Sequence, residues 1–283
     1  MLTLILAAAL TLPPQKSDAT LGVTAIHLET GQRISVRGAE RFPMGSVYKF
    51  PIAIEALHQV DEGKLAMSQK VTIEPKDFGP GHSPLRDAAN GKAITHTVGE
   101  LIEAMVVHSD NTACDTLLKM IGGPAAVTKR MLAMNVKNVR IDRSERGMSN
   151  DLRKERGRET YATDPRDTST PDAMVELLLA FWNKRDGLKP ASHDLLFKHM
   201  ADSPTGPRKL RAAVPQGWTI AHKTGSMPGT SNDVGILISP DGKHHIAIAI
   251  FTKSAKSSDD KTVDADIANA VRAVLTHFEA VER

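Results

Sequence analysis

Two hydrophobic rhythms divide this chain. Toward its ends, apolar positions alternate with polar ones or fill short unbroken runs: LGVTAIHL (21–28) and QRISVRG (32–38) early, then WTIAHKTG (218–225), DVGILIS (233–239) and HHIAIAIFTK (244–253) late. Those are strand patterns. Glu29-Thr30-Gly31 reads as the turn of a hairpin, and Pro240-Asp241-Gly242-Lys243 joins two of the late strands into a meander. Through the middle the spacing is helical. Phe50, Ile52, Ala53, Ile54, Ala56, Leu57 and Val60 follow one another from a start near Val47, and Thr97-Val98-Gly99-Glu100 offers a capping box to a helix ending near His108. Further helices are predicted up to Gly122-Gly123, from Pro124 through Met134, behind Thr170-Pro171, from Ser192 to Met200, and at the end, where Ile267, Val271, Val274, Leu275 and Phe278 share a face.

Two stretches break the rhythm. Residues 63–97 mix Gly, Pro and Asp with few apolar runs, the pattern of short strands and surface loops. Residues 139–171 are polar, and at that length the segment is either disordered or a functional loop. Strands, then helices, then strands and a helix define an α/β chain of the α+β kind. Residues 17–40 and 212–283 build one lobe around a sheet, with 41–211 inserted as a helical lobe.

Composition changes this picture little. At 283 residues, 41% hydrophobic and 24% charged, the chain is ordinary globular material. A net charge of +3 with only two Trp, two Tyr and seven Phe argues against a nucleic-acid partner. None of the eleven His stands in an HExxH pattern, and His244-His245 would point to opposite faces of a strand, so neither metal nor cofactor is expected. Cys114 is the single cysteine, which excludes an intrachain disulfide and suits a small buried side chain. The apolar run MLTLILAAALTL is shorter than the roughly 20 residues a membrane span needs. Residues 1–16 are therefore read as a partial signal peptide lacking its basic start, which places the protein in the periplasm or outside the cell.

The chemistry begins at Ser46-Val47-Tyr48-Lys49. A serine hydroxyl needs a base beside it, and residues i and i+3 at a helix start share a face, so the Lys49 amine can reach the Ser46 hydroxyl. The helix N-terminus also offers free N–H groups to a developing oxyanion. Ser-x-x-Lys alone is weak evidence: Ser258 and Lys261 repeat it among charges, as a solvated loop. Two further motifs strengthen the first copy. Ser109-Asp110-Asn111 stands at a helix junction, where capping is the plain explanation, and Lys223-Thr224-Gly225 ends a strand.

The three motifs in this order resemble the signature of class A serine β-lactamases and their penicillin-binding relatives. ERFPMGSVYKF, SDNTA, GWTIAHKTG, RKLRAAVP and PRDTSTP carry the resemblance over nearly the whole chain after the leader. It implies a β-lactamase/transpeptidase-like fold, with a five-stranded antiparallel sheet flanked by helices and an active site in the cleft between the lobes. Ser46 would be the nucleophile. Lys49, or Glu145 through a water, would take its proton, and Ser109 would pass a proton to the leaving nitrogen. Glu145, 36 positions after Ser109, would activate the deacylating water. Asn111, Lys223, Thr224, Gly225 and Ser226 would hold substrate, the last by its backbone N–H with that of Ser46. Arg143 and Asp167 would pair across the neck of an Ω-loop, and Arg211 matches a family arginine.

The chain departs from the family in places. The interval from Glu145 to Asp167 is several residues long for the family, which keeps Glu155 and Glu159 as outside candidates for the base. Asp115 stands where an asparagine usually braces this loop, a feature similar to the extended-spectrum subgroup. No arginine follows the KTG triplet to grip a substrate carboxylate, leaving Ser226, Thr230 and Lys209 as contributors. The implied partners are small β-lactams acted on by a monomer without a stable membrane span. A D-Ala-D-Ala peptidase or esterase of the same fold, and a penicillin-sensing domain, are the alternatives.

Overall fold

The computed structural model describes residues 11–154, 156–254 and 258–281. Five strands form one antiparallel sheet: β1 (Thr20–His27), β2 (Arg33–Val36), β7 (Thr219–Met227), β8 (Thr230–Ile238) and β9 (His245–Lys253), in the order β2-β1-β9-β8-β7. The N-terminal hairpin thus completes the C-terminal meander, with Val23 opposite Ile250 and Asp233 opposite the same Ile250 on its other side. Two small ribbons lie outside it, β3 (Phe42–Pro43) with β6 (Thr168–Ser169), and β4 (Lys70–Ile73) with β5 (Ile94–Thr97).

The helices are α1 (Lys49–Asp61), α2 (Pro84–Ala89), α3 (Val98–Val107), α4 (Asn111–Met120), α5 (Pro124–Ala133), α6 (Glu145–Leu152), α7 (Gly157–Thr160), α8 (Pro171–Trp182), α9 (Pro190–Ala201), α10 (Leu210–Ala213) and α11 (Asp260–Val281). Both faces of the sheet's centre are covered, so β9 is apolar on both sides. On β9 the alternation divides the work. Ile246, Ile248 and Ile250 join Ile267, Val271 and Val274 of α11 in an outer core. Ala247, Ala249 and Phe251 face the larger inner core, which contains Phe50, Leu57, Leu101, Leu117, Leu178 and Phe181. The small alanines of β9 leave room for α8 to lie against the strand. α1, buried from Lys49 through Leu57, runs through the centre of the helical part.

Capping sets most boundaries as expected. Thr97 and Glu100 make the reciprocal capping box of α3, and Thr170 accepts Ala173 N–H ahead of Pro171. Three expectations need correction. The nucleophile segment opens as a 3-10 turn over Gly45–Tyr48, and α-helical bonding starts only at Lys49. Helix α9 begins at Pro190 and not Ser192, whose hydroxyl donates instead to Asp61 at 2.7 Å. The second Ser-x-x-Lys is a loop only in part, since Ser258 precedes α11 and Lys261 lies in its first turn. Helices α2, α6, α7 and α10 are short and polar enough to have left no periodic signal. Residues 1–10 of the leader lie outside the described residues, and Lys16 and Ser17 donate backbone N–H groups to Asp266 of α11.

Candidate active site

The site forms where the 3-10 turn, the α3–α4 junction, the start of α6 and the end of β7 meet. Gly45, at φ +51°, allows the turn to press against β7. A Cβ on Gly225 would stand 2.3 Å from Met44 O and 3.1 Å from Ser46 N, and one on Gly45 would stand 3.2 Å from Ser226 N. Backbone therefore packs on backbone here, and the N–H groups of Ser46 and Ser226 are brought to one place.

Lys49 is the hub and is fully buried. Its Nζ donates to Ser46 Oγ at 3.0 Å, Ser109 O at 2.7 Å and Asn111 Oδ1 at 2.6 Å, which occupies the three N–H bonds of an ammonium. Glu145 Oε1 lies 3.1 Å from the same Nζ, yet out of line for a hydrogen bond, so this buried oxygen takes none from the protein. Burial of this charge pair is tolerable because the other polar groups around Lys49 are so completely matched.

The Ser109-Asp110-Asn111 segment divides its tasks. Asp110 is the cap, accepting Ala113 N–H at 2.8 Å while also holding Ser83 Oγ and Leu85 N. Ser109 sits in the left-handed region at φ +58°, a strained position for serine. That conformation turns its carbonyl to Lys49 while its Oγ accepts from Lys223 Nζ at 2.9 Å. Burial, reinforced by the positive charge of Lys49, holds the Lys223 amine well below the usual lysine range.

Ser144 caps α6 through Gly147 N–H, which sets Glu145 at its first position. Asp115 receives both following amides, Glu145 N at 2.7 Å and Arg146 N at 3.0 Å. Its burial, with the Glu145 charge adding to it, raises the Asp115 carboxyl to about 6. At the loop's neck, Asp167 accepts Asp142 N–H, Arg143 N–H and Arg143 Nε, the last at 2.6 Å, and Arg143 Nη1 also meets Asp151 and Asp164. Of the outside candidates, Glu155 and the Glu159 side chain lie outside the described residues.

A cavity of about 290 Å³ opens over this cluster, lined by Ser46, Ser109, Thr205, Lys209, Thr224 and Ser226 among others. A larger one of about 570 Å³ lies behind Asp115 and Arg146 over Val71, Ile73 and Leu118, away from Ser46. Thr224 Oγ1 donates to Thr205 Oγ1 at 2.8 Å, and Lys209 Nζ donates to Ser226 Oγ at 3.0 Å. Thr230 turns from the cleft to bond Met227 O, and Arg211 braces Ser203 O. Sequence reasoning did not single out Thr205. The period-two spacing of Thr224 and Ser226, which puts both on the face opposite Lys223, was the signal that something must pair with them there.

With fold and cluster in place, relatives can be compared. Residues 5–278 match the family model described as the Beta-lactamase enzyme family. The chain is 32% identical to beta-lactamase VEB-1 of Pseudomonas aeruginosa over 86% of its own length and 80% of that protein's. It is also 32% identical to the extended-spectrum beta-lactamase PER-1 of the same organism, over 90% and 81%. The crystal structure of a beta-lactamase from Chitinophaga pinensis superposes with a TM-score of 0.83 at 32% identity, covering 93% of this chain and 95% of that one. The chain belongs to the β-lactamase enzyme family, in its class A.

Proposed function

We propose that this protein hydrolyses the β-lactam amide bond through an acyl-enzyme on Ser46 and so confers resistance to these antibiotics. One observation carries the reading: the Lys49 amine stands between nucleophile and carboxylate, 3.0 Å from Ser46 Oγ and 3.1 Å from Glu145 Oε1.

In acylation Ser46 Oγ bonds to the lactam carbonyl carbon, and its proton passes to the Lys49–Glu145 pair. The N–H groups of Ser46 and Ser226 stabilise the oxyanion. Collapse breaks the C–N bond, and the nitrogen takes the Ser109 hydroxyl proton, which Lys223 replenishes at 2.9 Å. The proton taken from Ser46 leaves the pair by way of Ser109 Oγ, 3.4 Å from Lys49 Nζ, and restores Lys223. In deacylation a water bonds to the acyl carbon and gives a proton to Glu145, the bond from that carbon to Ser46 Oγ breaks, and Glu145 returns the proton to Ser46; the Oε1 that takes no protein hydrogen bond supports this role. Asn111 suits the substrate's side-chain amide, while Lys223, Thr224 and Lys209 suit its carboxylate. Arg143, Asp167 and Asp115 hold the loop that carries Glu145.

The substrate would lie between the lobe of 17–40 with 212–283 and the helical lobe of 41–211. The protein would act as a monomer on small β-lactam substrates. No helix among the described residues is long and apolar enough to cross a membrane, and the apolar leader supports export to the periplasm or beyond. Hydrolysis of a chromogenic cephalosporin tests the reading: wild type should turn it over many times, and Ser46→Ala should not.

A further inference from the structure

On the face of β7 that carries Thr224 and Ser226, further along the strand from the cleft, two fully buried polar side chains meet. His222 Nδ1 lies 2.8 Å from Asp233 Oδ1, and neither residue has any exposed side-chain surface. Asp233 Oδ2 accepts the backbone N–H of Leu210 at 3.2 Å, and Leu210 is the first residue of α10. That amide is a free donor at a helix start, and the carboxylate caps it from a neighbouring strand. Lys209, immediately before it, carries no side-chain cap and points its Nζ into the cleft, onto Ser226 Oγ at 3.0 Å, Gly225 O at 3.4 Å and Asn232 O at 3.3 Å. Gly206, at φ +62°, packs the same loop so tightly that a Cβ there would stand 2.6 Å from Thr224 Cγ2 and 3.5 Å from Asp233 Oδ2.

The His222 pairing is not explained by packing alone. Its Nε2 is buried without a hydrogen-bond partner, and an apolar residue at 222 would avoid that cost of about 1–3 kcal/mol. What the imidazole supplies is orientation of the Asp233 carboxylate, one oxygen on Nδ1 and the other on the Leu210 amide. The Asp233 charge also counters the desolvation that lowers the amines of both Lys209 and Lys223.

We propose that His222 and Asp233 are positioning residues for substrate recognition. By fixing the start of α10 they hold the Lys209 ammonium in the wall of the cleft beside Ser226 Oγ, where its charge attracts the anionic carboxylate end of the substrate. The inference rests on the β-lactamase reading above. It assigns to a buried pair, away from the reacting atoms, a share of the selectivity for acids over their neutral esters.

The test compares benzylpenicillin with its methyl ester in wild type, His222→Leu, His222→Asn and Lys209→Met. Asparagine keeps a donor near the position of Nδ1 and should restore most of what leucine loses. For the acid, His222→Leu and Lys209→Met should each raise KM about tenfold with kcat nearly unchanged, the size of one lost charge-assisted contact. KM for the ester should stay the same. Combining the two substitutions should cost little more than either alone. Parallel losses on acid and ester, or no loss on either, would overturn the inference while leaving the hydrolase reading intact. A wild type that turns over neither compound would overturn both. Should His222→Leu not fold, Asp233→Asn, which keeps the volume but loses the charge that holds both His222 and the Leu210 amide, takes its place with the same loss expected on the acid alone.

Discussion

Asp115 Oδ1 accepts the backbone N–H of Glu145 at 2.7 Å, so one carboxylate positions another. The arrangement brings two acids together where an asparagine would leave one, and it has a pH signature. The Asp115 carboxyl rises to about 6 in the folded protein, from an ordinary value near 4. A raised acid favours the protonated folded state, so this group's contribution to stability is lost as pH climbs from about 4 to 6. Asp115→Asn removes the buried charge but can accept only one of the two amides. Thermal melts should show the variant gaining on wild type by about 2 kcal/mol between pH 4 and pH 8. A difference that does not change with pH would contradict the assignment.

The close approach at Gly225 makes a second expectation. With Met44 O only 2.3 Å from an added Cβ, Gly225→Ala must move backbone, not a flexible side chain. The N–H groups of Ser46 and Ser226 would separate, and kcat/KM should fall at least about 100-fold, the scale of a lost oxyanion donor. Circular dichroism should remain that of a folded protein. Full activity in the alanine variant would show that the two amides do not act together.

Arg143 is nearly enclosed, its guanidinium shared among Asp151, Asp164 and Asp167, and Asp167 is itself buried. Arg143→Ala leaves Asp167 without its ionic partner, at a cost of about 3 kcal/mol in urea unfolding. Limited proteolysis should then cut within 145–167 faster than in wild type.

Strain at Ser109 separates stability from activity. A residue at φ +58° pays for its side chain, so Ser109→Gly should be about 1 kcal/mol more stable than Ser109→Ala, although both lose the hydroxyl and with it most turnover. Equal melting temperatures for the two variants would contradict the strain.

Much of this was legible in the chain because local signals agreed with the tertiary result. Thr97 and Glu100, Thr170 and Pro171, and the alternation of HIAIAIF each state their structure within a few residues. The Ser46 and Ser109 motifs could be found for the same reason, at a helix start and a helix junction, whereas Lys223-Thr224-Gly225, read as a strand end, lies inside β7, which runs on to Met227. What escaped was set by partners far along the chain. Thr205 lies 19 residues from Thr224, and the capping of Leu210 by Asp233 spans 23. Neither leaves a periodic trace. Likewise, nothing local told that Asp110 alone would do the capping in Ser109-Asp110-Asn111, since the positive φ that frees Ser109 for Lys223 depends on how α3 meets α4.

The central claim is that Ser46 is acylated and that Glu145 releases it. Mass spectrometry of the intact protein after mixing with a chromogenic cephalosporin, for wild type and Glu145→Ala, tests this most directly. Wild type should return to its free mass within the turnover time, while the variant should accumulate a covalent adduct that peptide mapping places on Ser46. A wild-type protein that stays acylated for many minutes, or a variant that clears its adduct as fast as wild type, would contradict the account.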